Sequence, residues 1–222
     1  ALQSSAISGT FDSDIDFWLN PLRRSVVPLP LETEVLLSPR SFTETYAYNL
    51  DAKTSQRLLQ HVPISRGVTL QSVLVASLVL TLCKWTGQPL ALIDLEGHGR
   101  EDAFFTGLNL SRTIGWFTSF YPALFSLEGA IHDCKQSLSA VVRQLSEVPN
   151  RGLSYGILRY LSPDSTLRSN LASLPQADVA FNYIGVSKAA EGQPRPLSYA
   201  GQDLPIGQTA LYQDKMSIRK HR

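Results

Sequence analysis

The longest apolar stretch of the sequence, Val68 to Cys83, predicts a helix that is buried on nearly every side. Its scattered Ser and Thr residues, and a length below the roughly 18 residues needed to cross a bilayer, argue against a membrane span. After a turn at Gly87 and Pro89, the run Leu90 to Leu95 predicts a fully buried strand. A buried helix and a buried strand each need other elements to cover them, so we expect a layered core.

The rest of the chain alternates between helix-like and strand-like periodicity. The predicted helices are Phe11–Leu19, a short helix from an Asp51 N-cap to Pro63, Ile131–Val148 and Gly156–Leu161, and the further predicted strands are Ser41–Leu50, Gly115–Leu127 and Asp178–Ile184. Thr69 is the expected N-cap of the long buried helix, and Pro122 indicates an edge strand or a bulge. Together they predict an α/β fold, with a mostly parallel or mixed sheet covered by helices.

The composition of the 222 residues is that of a globular protein, with 43% apolar and 18% charged side chains. Twenty basic against 19 acidic residues give a net charge of +1, which excludes attraction of nucleic acid by bulk charge. The two cysteines, Cys83 and Cys134, form no C-x-x-C pair, so both are expected to be reduced and packed. With no secretory signal pattern at the start, the expected location is cytoplasmic.

Two short motifs suggest chemistry that their context does not support. Gly152 to Gly156 spells G-x-S-x-G, but no strand is predicted before it, so Ser154 is not expected to be a nucleophile. Gly97 and Gly99 lack the third glycine of a dinucleotide-binding loop. The four histidines and two cysteines show no metal-ligand spacing, so no metal site is predicted.

Four segments occur in an order that resembles a known family. They are LEGHGRE at Leu95–Glu101, SRTIGWFTSFYP at Ser111–Pro122, PNRGLSYG at Pro149–Gly156 and FNYIG at Phe181–Gly185. Together they resemble the epimerization domains of nonribosomal peptide synthetases, which are relatives of the condensation domains. The resemblance covers about Phe11 to Gly185, and it depends on all four motifs rather than on any one of them.

The resemblance implies two chloramphenicol-acetyltransferase-like lobes with a cleft between them, of which this chain is similar to the C-terminal lobe. Residues 1–186 are assigned to that lobe, and residues 187–222 to a polar, truncated or divergent tail. The HHxxxD segment of the family's N-terminal lobe does not occur here, so whether this chain alone is an enzyme is left open. The implied partners are an HHxxxD-bearing lobe, a peptidyl carrier protein and other synthetase modules, without nucleic acid or membrane.

The implied reaction is the conversion of an L- to a D-aminoacyl or peptidyl thioester by proton transfer at Cα. The substrate would be carried on the phosphopantetheine arm of a carrier protein, and the chain itself would bind no cofactor. Such a reaction needs a base, donors for the enolate oxygen and an acid on the opposite face. Two alternatives stay open. One is a condensation domain that forms peptide bonds, and the other is a non-catalytic remnant that binds a carrier protein.

The EGHGRE segment supplies the first candidate site residues. Glu96 is the predicted base or acid of this lobe, although a Glu before Gly at a strand end is more often a turn carboxylate. His98 and Arg100 are assigned to substrate binding or to the loop. An imidazole hydrogen-bonded to the backbone explains His98 as well as substrate contact does, and anchoring the loop is the simpler role for Arg100.

The FNYIG and GWFT segments supply the other candidates. Asn182 and Tyr183 are neighbours on a predicted strand, so they point to opposite faces and only one of them can line a given cleft wall. Tyr183 is preferred as catalytic because its phenol could donate to an enolate oxygen, and Asn182 is then structural, unless the two roles are exchanged. Trp116 is assigned to the cleft wall, with core packing as the alternative.

Overall fold

The computed structural model describes residues 1–30, 45–62, 67–105, 107–115 and 117–183. Their α-helices are α1 (Leu2–Ile7), α2 (Ile15–Trp18), α3 (Ala52–Gln56), α4 (Leu70–Thr86), α5 (Cys134–Ser146), α6 (Leu153–Gly156) and α7 (Ser165–Ala172). The strands are β1 (Leu90–Gly97), β2 (Ser119–Ser126) and β3 (Val179–Phe181). Helix α3 continues as the π-helical turn Arg57–His61, and α6 as Ile157–Leu161.

The three described strands form a mixed sheet in the order β2-β1-β3. β1 pairs antiparallel with β2 and parallel with β3, so the α/β fold with a mixed, helix-covered sheet is confirmed. β2 lies at an edge of this described sheet and contains Pro122, which has no backbone N–H to donate. Its side away from β1 meets the buried Arg23, whose Nη1 donates to the Pro122 carbonyl over 2.9 Å.

The predicted buried helix is α4, and its ends have the expected chemistry. Thr69 caps it by accepting a hydrogen bond from the Ser72 N–H, and Gly87 ends it in the left-handed region with φ 68°. Val75, Val79 and Cys83, each four residues after the last, are fully buried. α4 therefore packs one continuous stripe against α5 and β1. Ser77, Thr81 and Trp85 on its other side are exposed, so the expectation of burial on nearly every side is wrong.

Two hydrophobic clusters hold the described part together. The first lies between the sheet and helices α4 and α5, and its buried members include Val75, Val79, Cys83, Ile93, Leu95, Phe125 and Val141. The second joins the N-terminal helices to α7 and the segment before it, and its buried members include Phe11, Trp18, Ile157, Leu158 and Leu171. Tyr121 on β2 packs against both clusters, so the N-terminal helices are fixed to the edge of the sheet.

Arg23 is a charged residue in an otherwise apolar setting. It is only 2% exposed, and its guanidinium lies over the Trp18 ring, 5.4 Å from the centroid. Burial lowers the pKa of Arg23 to about 10, because the charged form loses its hydration. The hydrogen bond to Pro122 and the ring contact offset part of that loss.

The N-terminal region and residues 45–50 differ from the sequence prediction. The helix predicted over Phe11–Leu19 is a 3₁₀ turn, Asp12–Asp14, followed by the short α2, and the chain begins instead with α1. Residues 45–50 of the predicted strand Ser41–Leu50 form no strand and are exposed, and residues 41–44 lie outside the described residues. The Thr and Tyr content of this segment was misleading, since strand preference depends on a sheet to pack against.

Asp51 caps α3 as predicted, whereas α7, capped by Asp164, was not predicted at all. Cys83 is fully buried, but Cys134 is exposed at the first turn of α5, so the expectation of two packed thiols is wrong for Cys134. The tail assigned to residues 187–222 lies outside the described residues.

Candidate functional site

Glu96 lies on the face of β1 that turns away from helices α4 and α5. Ile93 and Leu95 belong to the helix-covered core, and side chains alternate along a strand, so Glu96 projects from the opposite face. The strand continues through Gly97, so Glu96 is held within the ladder, opposite Phe120, rather than following it. A side chain on a paired strand is placed more firmly than one on a free loop.

A hydrogen bond fixes one oxygen of the Glu96 carboxylate. The Thr118 hydroxyl donates to Glu96 Oε1 across 3.1 Å, from the residue just before β2. Glu96 is partly exposed as a residue, while its Oε2 is buried. The carboxylate is therefore partly buried, and the hydrogen bond from Thr118 gives it a defined orientation.

The glycines beside Glu96 allow two segments to pass very close together. Gly99 has φ 63°, and a Cβ built on it would lie 1.2 Å from the Phe117 carbonyl oxygen. A Cβ on Gly97 would lie 2.6 Å from Ser119 Oγ. The glycines thus make room for the chain leading into β2, which carries Thr118 to the Glu96 carboxylate.

Arg100 orders the loop that precedes β2. Its guanidinium donates to the carbonyls of Leu110, Thr113 and Gly115 over 2.8–3.0 Å. It also lies over the Phe117 ring, 4.6 Å from the centroid. Because three donors and one face of the guanidinium are engaged within this chain, the geometry favours the loop-anchoring role over substrate binding.

His98 and Glu101 are linked within the same loop. The His98 Nδ1 accepts a hydrogen bond from the Arg100 N–H over 3.0 Å, and its Nε2 lies 3.3 Å from Glu101 Oε1. This arrangement matches the loop-fixing alternative for His98, although 63% of the side chain is exposed. Glu101 is 7% exposed, and its other oxygen accepts from Arg151 Nη1 over 3.1 Å.

β3 brings Phe181, the first residue of the FNYIG motif, alongside β1. Ala180 is level with Asp94, and Phe181 with Leu95, so one more step of the same register would put Asn182 level with Glu96 and on its face. Tyr183 would then point to the helix-covered face. The alternation favours the exchanged roles, in which Asn182 shares the wall with Glu96. Trp116, the remaining candidate, lies outside the described residues.

The G-x-S-x-G segment has none of the geometry of a nucleophile elbow. Ser154 is fully buried inside α6, and it accepts a hydrogen bond from Trp18 Nε1 over 3.0 Å. A turn precedes it, not a strand, and Asn150 and Arg151 in that turn have φ values of 47° and 51°. The prediction that Ser154 is no nucleophile agrees with this structure.

The contacts that hold the site together could not be predicted from the sequence. Thr118 lies in the Ser111–Pro122 motif, but its contact with Glu96 depends on the β1–β2 register and on the backbone approach at Gly99. The Glu101–Arg151 pair joins residues fifty positions apart. The only sequence signal for these contacts was the presence of the motifs, because each of the two residue pairs joins one motif to another.

Metal-binding clusters and membrane-spanning helices are two further features that could suggest a function. No three His, Cys, Asp or Glu side chains come together as a metal-binding group in the part of the chain that the structure describes. Within the same residues, no helix is long and apolar enough to cross a membrane.

The mixed sheet and its helical cover make the chain an α/β protein, and its similarity to a solved epimerization domain places the fold in the chloramphenicol-acetyltransferase-like class. The profile of the condensation domain family matches residues 1–206, and the chain belongs to that family. It is 39% identical over 223 residues to a protein of the linear gramicidin synthase of Brevibacillus parabrevis, covering 98% of this chain. It spans only 3% of that relative's length.

Two solved structures are similar in fold. The crystal structure of the epimerization domain from the third module of tyrocidine synthetase B matches with a TM-score of 0.69 and 32% identity, over 82% of this chain and 40% of that one. The first condensation domain of the calcium-dependent antibiotic synthetase matches with a TM-score of 0.50 and 13% identity, over 79% and 36%. The second match supports the fold alone.

Proposed function

We propose that this chain is the C-terminal lobe of an epimerization domain in a nonribosomal peptide synthetase. The observation that carries the proposal is the oriented, half-buried carboxylate of Glu96 on a strand of the epimerization-domain fold. The match to the tyrocidine synthetase epimerization domain exceeds the match to the condensation domain in both TM-score and identity. The similarity to the linear gramicidin synthase supports the synthetase context.

In the proposed reaction, the α-proton of a carrier-bound aminoacyl or peptidyl thioester is removed on one face and returned on the other. Glu96 accepts or delivers that proton. The electron pair of the broken Cα–H bond is delocalised onto the thioester oxygen, which gives an enolate. An imidazole from an HHxxxD-bearing lobe acts on the opposite face. The overall reaction is an isomerisation and needs no redox partner, and we assign the chain no cofactor of its own.

The proposed partners follow from this reaction. They are the HHxxxD-bearing lobe, a peptidyl carrier protein whose phosphopantetheine arm holds the substrate, and other modules of a cytoplasmic synthetase. Asn182 or Tyr183 assists at the enolate oxygen, and the loop anchored by Arg100, with His98 and Trp116, forms part of the cleft wall.

The test is proton exchange in heavy water. The synthetase domain that contains this chain is mixed with an aminoacyl-loaded carrier protein, and Cα is followed for deuterium and for inverted configuration. We expect Glu96→Gln to lower the exchange rate at least about 100-fold, in the range that general acid–base groups contribute. Glu128→Gln, at an exposed carboxylate outside the site, is the matched control and should keep the rate. Undiminished exchange in Glu96→Gln would refute the assignment.

A condensation activity is the second candidate, because the matching family profile is that of the condensation domain. The same preparation, given a donor and an acceptor carrier protein, would then form a peptide bond without exchange at Cα. Carrier binding with neither reaction would instead indicate a non-catalytic docking lobe.

A further inference from the structure

The hydroxyl of Thr118 makes a direct polar contact with the Glu96 carboxylate. It comes from a different segment, 22 residues along the chain, and not from the loop that follows Glu96. We propose that Thr118 is a positioning residue, which holds Glu96 Oε1 so that the carboxylate meets the substrate Cα in a single orientation. This inference rests on the proposed function, because it concerns the same carboxylate.

The backbone on either side of Thr118 is fixed by contacts of its own. Gly99 allows the Phe117 carbonyl to approach to a distance at which any side chain would clash. Arg100 lies over the Phe117 ring and donates to the carbonyls of Thr113 and Gly115. The Thr118 backbone therefore has little freedom, and the hydroxyl is presented at a defined place.

A threonine suits this role for two reasons. Its β-branched side chain has few accessible χ1 rotamers, so little entropy is lost when the hydroxyl is aimed at one acceptor. A glutamate, by contrast, has three side-chain torsions, and each contact to its carboxylate reduces the number of positions that the carboxylate samples. A hydrogen bond from a rigid donor restricts those torsions before substrate arrives, which is the preorganisation that proton transfer at carbon requires.

The contacts of Arg100 affect the Glu96 carboxylate indirectly, through Thr118. The guanidinium of Arg100 bonds to the segment before β2, and that segment delivers Thr118. Arg100 thus fixes the segment before β2, that segment places Thr118, and Thr118 orients the Glu96 carboxylate. Arg100 and Glu96 belong to the same EGHGRE segment, but Arg100 influences Glu96 through the segment that carries Thr118.

The experiment compares Thr118→Val with Thr118→Ser in the synthetase domain that contains this chain. Valine keeps the branched shape and removes the donor, while serine keeps the donor. We expect Thr118→Val to lower the kcat of deuterium exchange by roughly 10- to 100-fold, the loss of one hydrogen bond to a charged group, with KM unchanged. Thr118→Ser should retain at least about a third of the wild-type kcat, because the donor is still present.

Controls separate this proposal from the function on which it rests. Thr166→Val, at an exposed threonine of α7 outside the site, should leave kcat unchanged. In a Glu96→Gln background, Thr118→Val should cause no further loss, since residues that act through one group are not additive. Wild-type kcat in Thr118→Val, or equal losses in the Val and Ser variants, would overturn the positioning role. Undiminished exchange in Glu96→Gln would instead overturn the proposed function.

Discussion

The guanidinium of Arg151 donates to Glu101 Oε2 across 3.1 Å, and this pair joins the loop after β1 to the turn before α6. Glu101 is buried at 7% exposure, whereas 72% of the Arg151 side chain is exposed. Arg151 and its neighbour Asn150 both have positive φ, which costs a non-glycine residue about 1–2 kcal/mol. The ion pair offsets part of that cost and so keeps the turn against the end of β1.

Glu101→Gln should destabilise the domain, because the buried carboxylate loses its charge-assisted bond to Arg151 and its contact with His98. We expect a loss of about 1–2 kcal/mol in the free energy of unfolding, measured by urea denaturation followed by tryptophan fluorescence. The matched control is Glu147→Gln, whose partner Arg143 is closer, at 2.8 Å, but whose carboxylate is 49% exposed. That exposed pair should contribute less than about 0.5 kcal/mol. Equal losses of unfolding free energy in both variants would show that the burial of Glu101 does not make its ion pair more stabilising than an exposed one.

Gly99→Ala should be far more damaging than another glycine substitution of the same backbone class. Gly99 and Gly107 both have positive φ, but nothing lies within 4 Å of a Cβ on Gly107. Gly107→Ala should therefore cost only the backbone term of about 1–2 kcal/mol, while Gly99→Ala adds a main-chain clash and should exceed about 4 kcal/mol. The midpoints of thermal unfolding measure the difference. If the two variants unfold alike, the close approach of Phe117 is contradicted.

The sequence predicted the elements whose signals are local. α4 was found from its apolar run, its Thr69 cap and its Gly87 stop, and β1 from the apolar run that follows. α7 was missed because Pro163 suggested a loop, although Asp164 is an ordinary N-cap that accepts from the N–H groups of Thr166 and Leu167. The strand predicted to end at Leu50 failed because its preference came from residue type, without a partner strand over 45–50.

The site was predictable only as a set of motifs. Glu96 could be singled out by its position at the end of a buried strand, but its link to Thr118 needed the β1–β2 register. The same holds for Glu101 and Arg151, which lie in different motifs fifty positions apart. Contacts between distant segments depend on backbone geometry that no local pattern encodes. Here that geometry includes the close approach of the main chain at Gly99 to the main chain at Phe117.

Cys83 should introduce a pH dependence of stability above pH 9. Burial raises the pKa of the Cys83 thiol from 9.0 to about 11, so the folded state keeps a proton that the unfolded state releases. The unfolded state then binds fewer protons, and the free energy of unfolding falls by about 1 kcal/mol between pH 9 and pH 10 from this group. Urea denaturation at the two pH values measures it.

Cys83→Ala provides the comparison, because it removes this thiol and keeps the other titrating groups. The drop between pH 9 and pH 10 should be smaller by that amount in the variant. The exposed Cys134 is an internal reference, since it should react with a thiol reagent in the native state while Cys83 reacts only after unfolding. An identical pH dependence in wild type and Cys83→Ala would rule out a buried, protonated Cys83.

The two neighbours after β3 should differ in their effect on catalysis. Continuing the β1–β3 register puts Asn182 on the face of Glu96 and Tyr183 on the helix-covered face. We therefore expect Asn182→Ala to lower the exchange rate at Cα about 10- to 100-fold, as the loss of a donor near a developing charge does. Tyr183→Phe, which removes only the phenol oxygen, should keep the rate within about threefold. Circular dichroism of both variants checks that they fold. The reverse order of effects would show that the strand twists after Phe181 and that the phenol, as first expected, is the group that faces the substrate.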